Sequence, residues 1–403
     1  MEEKDPLVLG DFSVSSERGF LPEEDPLTVM PPGWEYLDDF GNNLPELIES
    51  GKILTQAKLL PIPPDFRFSL LSERELQLAW IRYSFIQSAY VHSQKTGPFS
   101  VCKNIAKPLV AISKILKVRP ILPYFAYTLN NWKRKDPDGP IKVDNLQLIQ
   151  TFIRDSDQSW FNLIHVDIEY EYGLGVRNLW NAQFFVEMGD ANGLELSIFH
   201  VTKSIKNMIA VMKRMPEGTH PDTYYKIRPW IMFFENVIYE GVEEFEGKPQ
   251  TFPGQTGAQT SIFQSLEAGL QMPKLEESRL AVHLMDMRNH MPEGHRKFIE
   301  YLEANSRVRD FIVSSAPDLV ELYDECIDQE LTFLAIHLGY AFYYIHKQTD
   351  NPRGTGMTKD FMDYLGSRIK ERWERAFIKP RSENDFKLFK TNVGKMVKEL
   401  VAA

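Results

Sequence analysis

Apolar positions recur along this chain with a helical period far more often than with the two-residue alternation of half-buried strands. Asn43 to Lys58 places Leu44, Leu47 and Ile48 on one face, with Gly51 set to end the helix. From about Ser72 to Ser93 the segment LQLAWIRYSFIQSAYV is apolar round most of its circumference, the pattern of a helix buried on several sides. Further helical periods are predicted near 106–116 and over 157–172, 194–214, 222–238, 260–270, 276–290, 294–304, 316–347 and 358–375. No repeat at solenoid spacing accompanies them. The expected fold class is all-α.

Punctuation divides the chain. Residues 1–32, rich in Pro, Glu, Asp and Ser, read as a mobile N-terminal arm. The loop KRKDPDGP at 133–140 stacks three turn-favouring dipeptides and predicts a boundary near residue 150. A smaller, mostly helical domain is thus expected over 33–150 and a larger helical one over 151–403.

Composition removes several function classes. A net charge of −10 opposes nucleic-acid binding, and the one dense basic run, Lys133-Arg134-Lys135, runs straight into Asp136. Two cysteines, Cys102 and Cys326, make neither a disulfide framework nor a four-cysteine metal site. The start, MEEKDPLVLG, has no apolar signal core, and no stretch approaches ~18 uninterrupted apolar residues. A cytoplasmic protein without membrane contact is expected. There is no phosphate loop, dinucleotide fingerprint, HExxH, nucleophile elbow or CxxC. Nine histidines without a close His/Cys cluster give zinc little support.

Three polar residues in apolar surroundings stand out. His337 sits in QELTFLAIHLGYAFYYIHK, with Ala335, Gly339 and Ala341 nearby to admit a flat macrocycle. It is either a haem ligand or a core histidine bonded to a carbonyl. His165 follows Phe161 by four residues, so ring and imidazole share a helix face; it lines an aromatic pocket or caps a core network. Arg228, within TYYKIRPWIMFF, must be paired, with a substrate carboxylate or with an internal Asp or Glu. His346 reads as solvent-facing, and His290 and His295 as holding a helix junction.

Several stretches together resemble the indoleamine 2,3-dioxygenase family, haem enzymes that open the indole ring of tryptophan to N-formylkynurenine. They are LPELIESG, ILPYFAYTLNNWKRKDP, WFNLIHVDIE, IYEG followed by GQTGAQTSIFQ, MDMRNHMPEGHRKF, IHLGYAFYYI and GTGMT, spread over roughly 33–375 in the family's order. The resemblance makes the large domain haem-binding, with one haem b per chain ligated by His337. It assigns Phe161 to packing against the indole, Arg228 to the substrate carboxylate, Tyr224 to the aromatic before it, and Tyr124 and Tyr127 to the pocket. Thr256 and Gly257 fall in the loop passing the cofactor and substrate. Gly354, Thr355 and Gly356 fall in the glycine-rich loop that closes the site.

This chain also departs from the family's pattern. His165 stands where serine is frequent, Tyr127 replaces a smaller residue, Met357 interrupts a GTGGT-type loop, and Leu334 sits where arginine is common. The implied activity is insertion of O2 across the indole C2–C3 bond of L-tryptophan or a related indole, by a monomer or weak oligomer. The catalytic set is His165, Phe161 and Arg228, with His165 bonding the indole N–H or the bound oxygen. A haem monooxygenase or peroxidase-like enzyme on a substituted indole, and a non-enzymatic haem-binding protein, stand as alternatives.

Overall fold

A computed structural model describes residues 7–154, 156–274, 279–350, 352–356 and 361–402. Its helices begin where the sequence offers capping chemistry. Ser72 accepts from the Glu75 N–H, and Glu75 reaches back to the Ser72 N–H at 2.8 Å, opening Glu73–His92. Asp190 opens Ala191–Lys213 by accepting from the N–H groups of Asn192 and Gly193 at 3.1 and 3.0 Å. Thr260 opens Ser261–Gly269 through the Ile262 N–H at 3.2 Å. The Glu73–His92 helix is buried at every residue from Leu78 to Val91, as its apolar circumference predicts.

The described residues contain sixteen α-helices and a few short strands, so the all-α expectation holds. Gly173–Glu187 and Ala191–Lys213 pack along one another about the turn at Gly189. Two further helices lie on Ala191–Lys213: Ser156–Glu171, which carries His165, and Val320–Tyr344, which carries His337. One helix therefore serves as the common support of both histidine-bearing helices. Phe361–Arg375 and Glu383–Ala402 cover Val320–Tyr344 from its other sides.

The segment read as a mobile arm is instead anchored from Leu9 onward. Leu9, Phe12, Val14, Phe20, Leu21 and Met30 are buried, and the Phe12 ring meets Trp180 and Phe298 at 5.8 and 5.6 Å. Gly173 and Gly294 permit the contact, since a Cβ there would lie 2.3 Å from the carbonyl oxygens of Glu17 and Phe12 respectively. His295 bridges Ser13 O and Ser261 Oγ at 3.3 Å each, a junction role as expected. An acidic, Pro-rich composition concealed the apolar anchors spaced within it.

Other departures are local. The helix expected over 222–238 is Pro221–Ile227, tightened into a 3-10 turn at Arg228–Ile231 by Pro229, followed by the strand Phe234–Tyr239. That strand pairs parallel with Ser100–Val101 and antiparallel with Gln250–Phe252. Gly173–Glu187, Val308–Ser315 and Glu383–Ala402 are helices that apolar periodicity did not mark. KRKDPDGP forms the turn between the paired strands Lys133–Arg134 and Leu146–Gln147. Both cysteines are free and buried. Among the described residues no helix is long and apolar enough to cross a membrane.

Candidate active site

The helix Ser156–Glu171 presents Phe161 and His165 one turn apart, their ring centroids 4.7 Å from each other. The His165 Nδ1–H donates to Phe161 O at 2.7 Å, which fixes the tautomer and leaves Nε2 as an acceptor. Burial pushes the His165 proton affinity down, so the ring is neutral. Phe161 packs on Tyr224 at 4.5 Å, and Tyr124 meets His165 edge-on at 6.4 Å. Tyr124, His165, Phe161 and Tyr224 thus form one contiguous wall.

Arg228 sits at the start of the 3-10 turn after Pro221–Ile227 and is 5% exposed. Burial lowers its proton affinity, opposed by the hydroxyls of Tyr224 and Tyr225. Its Nε and Nη2 are buried and make no hydrogen bond, and no carboxylate among the described residues pairs with it. The internal Asp or Glu left open by the sequence is absent there. Tyr127 lies in the turn Phe125–Leu129, stacked on Phe85 at 5.8 Å, and its buried hydroxyl also has no partner.

His337 occupies the apolar stretch of Val320–Tyr344. Neither of its ring nitrogens makes a hydrogen bond among the described residues, which removes the carbonyl-bonded alternative. Desolvation, aided by the nearby His165 and Arg368, pushes its proton affinity down to about 4, so it carries a free lone pair at neutral pH. Phe161, His165 and His337 are each partly rather than fully buried. A Cβ at Gly257 would stand 4.0 Å from His337 Nε2, so the loop leaves room beside the imidazole that a larger residue would fill.

Two loops meet close to His337. Thr256 caps the turn Gly257–Gln259, and the Gly254 N–H donates to Thr355 O at 3.1 Å, tying the 254–259 loop to Gly354–Thr355–Gly356. Met357 lies outside the described residues. Sequence reasoning missed the polar frame behind the wall. Gln259 accepts from the Tyr124 N–H at 2.8 Å and donates to Gly254 O at 2.9 Å. Buried Glu169 accepts from Tyr124 Oη at 3.0 Å and Thr260 Oγ1 at 2.6 Å. Burial raises the Glu169 carboxyl to about 7. Its position four residues after His165 was the available signal. A cavity of about 840 Å3 between the N-terminal segment and Glu73–His92 contains none of the site residues.

A family model described as "Indoleamine 2,3-dioxygenase" matches residues 8–385. The chain belongs to that family. It is 30% identical to indoleamine 2,3-dioxygenase 1 of Rattus norvegicus, over 92% of this chain and 96% of the rat protein. It is 28% identical to indoleamine 2,3-dioxygenase qulI of Penicillium citrinum, over 89% and 86% of the two chains. It is also 27% identical to 6-hydroxytryptophan 2,3-dioxygenase fscD of Fusarium equiseti, over 83% of this chain and 84% of that one. Membership of the indoleamine 2,3-dioxygenase family covers the whole site, from Tyr124 to Gly356.

Proposed function

We propose that this chain is a haem-dependent dioxygenase that adds both atoms of O2 across the C2–C3 bond of L-tryptophan or a related indole, giving an N-formylkynurenine-type product. The observation that carries the reading is Arg228, a buried guanidinium with two unpartnered nitrogens beside an aromatic wall. Burying such a charge without an anion is costly, and an amino-acid carboxylate supplies one.

His337 fits the cofactor: a neutral imidazole without hydrogen bonds among the described residues, on a rigid helix, with Gly257 alongside. One haem b per chain, ligated there, would supply the oxygen-activating redox chemistry. The protein's own part is positioning. Phe161 and Tyr224 stack the indole, Tyr124 and Tyr127 bound its pocket, and Arg228 sets its depth through the carboxylate. Nε2 of His165, left with its lone pair, accepts the indole N–H. The Thr355 loop, bonded to Gly254, excludes water. The name of the Fusarium relative supports substituted tryptophans within the substrate class. A cytoplasmic monomer or weak oligomer, with domains dividing near residue 150, completes the proposal.

The test is turnover of the reduced, haem-loaded protein with L-tryptophan under 18O2. Two labelled oxygens in the product support the reading, and one would favour the monooxygenase alternative. No product from any indole, with haem bound, would overturn it.

A further inference from the structure

Three helices converge on a buried cluster of charge next to His337. Glu267, from Ser261–Gly269, accepts from Arg368 Nη2 at 2.7 Å and from Arg372 Nε and Nη2 at 3.2 and 2.5 Å. Arg372 is fully engaged, because its Nη1 donates to Pro273 O at 2.6 Å. Arg368 is not. Its Nε is buried without a partner, and its Nη1 makes no hydrogen bond among the described residues. The guanidinium lies 5.8 Å from the Phe263 ring, which meets Phe333 at 5.0 Å, one helical turn before His337.

The cluster holds two guanidiniums and two carboxyls, and their hydrogen bonds are unevenly shared. Two guanidiniums face Glu267, which they hold ionised despite its burial. The fourth member, Glu330 on Val320–Tyr344, faces Glu267 with both oxygens buried and no donor to either. Burial and the Glu267 charge push its carboxyl upward, toward the neutral form. Arg368 thus keeps unspent donors in a buried place, and buried polar groups need partners.

We infer that Arg368 anchors a carboxylate of the cofactor: the unused N–H groups of its guanidinium, held by Glu267 beside His337, receive one haem propionate. This rests on the haem reading above. Haem b bears two such carboxylates, and a charge-assisted hydrogen bond from a buried guanidinium matches one of them. Nothing in this role touches the reacting atoms, so Arg368 is a positioning residue whose effect is read in cofactor binding.

The experiment titrates the full-length apoprotein with haem b and with haem b dimethyl ester, whose propionates are masked, following the Soret band and transfer to apomyoglobin. The wild type is expected to bind the ester about ten- to a hundredfold more weakly, the range of a hydrogen bond to a charged group. Arg368→Gln should hold both porphyrins about equally, whereas Glu267→Gln, which removes the compensating anion, should widen the wild-type preference. Equal affinities in the wild type would overturn the inference, and so would a preference unchanged in both variants. Failure of the wild type to bind haem b at all would instead overturn the haem reading itself.

Discussion

Replacing Arg228 with Ala separates binding from folding in a way few substitutions here do. The guanidinium is 5% exposed and lacks an internal counter-ion, so in the free protein it is a liability and with substrate it becomes an asset. Removing one partner of a buried ion pair costs about 3–5 kcal/mol. At about 1.4 kcal/mol per tenfold, kcat/KM for L-tryptophan should fall on the order of 10²–10³-fold, chiefly through KM. Arg228→Lys keeps the charge but not the planar fork and should recover part of the loss. The control is 3-methylindole, which has no carboxylate and should be turned over equally by both proteins. Arg228→Met, of similar length, should stabilise the apoprotein by about 1–3 kcal/mol, read as a rise in the urea midpoint, because it removes an unpaired buried charge. A near-wild-type KM, equal losses with both substrates, or a marked loss of stability in Arg228→Met would refute the reasoning.

Other expectations follow from the same geometry. Burial pushes His92, His295 and His337 down to about 4, against about 6.5 in an unfolded chain, so the folded state binds fewer protons. Their contribution is complete above the unfolded value and is lost as pH falls toward the folded one. Urea midpoints should therefore show the advantage of wild type over His295→Gln shrinking by about 2 kcal/mol between pH 7 and pH 5. A difference independent of pH would contradict this. Tyr127→Phe removes a buried hydroxyl with no partner and should leave the apoprotein as stable or up to about 1 kcal/mol more so. A loss of stability comparable to that of a cavity would mean the hydroxyl is bonded. Gly294→Ala would place a Cβ 2.3 Å from Phe12 O and should release the N-terminal segment. The expected signs are faster tryptic cleavage at Arg18 and a stability loss of about 1–3 kcal/mol; unchanged cleavage would count against the packing of that segment.

Much of the candidate site was legible because it sets polar residues in apolar helices, which periodicity exposes. His337 and His165 were visible as imidazoles in greasy stretches, and Arg228 as a cation between aromatic runs. What the sequence concealed were partners. Whether His337 met a carbonyl, or Arg228 an internal carboxylate, depended on contacts far apart in the chain, and both proved unmet. The frame of Gln259 and Glu169 and the pairing of Glu267 with Arg368 and Arg372 depend likewise on distant segments meeting. The helices were read best where apolar faces were broad, as in Glu73–His92. Gly173 and Gly175 weakened the signal for Gly173–Glu187, although tight packing there requires small residues. Pro229 converted the end of an apparent helix into a turn and strand because proline cannot donate to the helical ladder.

The central claim is that the unbonded imidazole of His337 is the iron ligand. Haem b titrated into the wild type and into His337→Ala, with and without free imidazole, tests it most directly. The wild type should show a Soret band and the magnetic circular dichroism of histidine-ligated haem; the variant should lose both and regain them with imidazole. Retention of haem by His337→Ala with an unchanged ligand-field spectrum would show that another residue holds the iron.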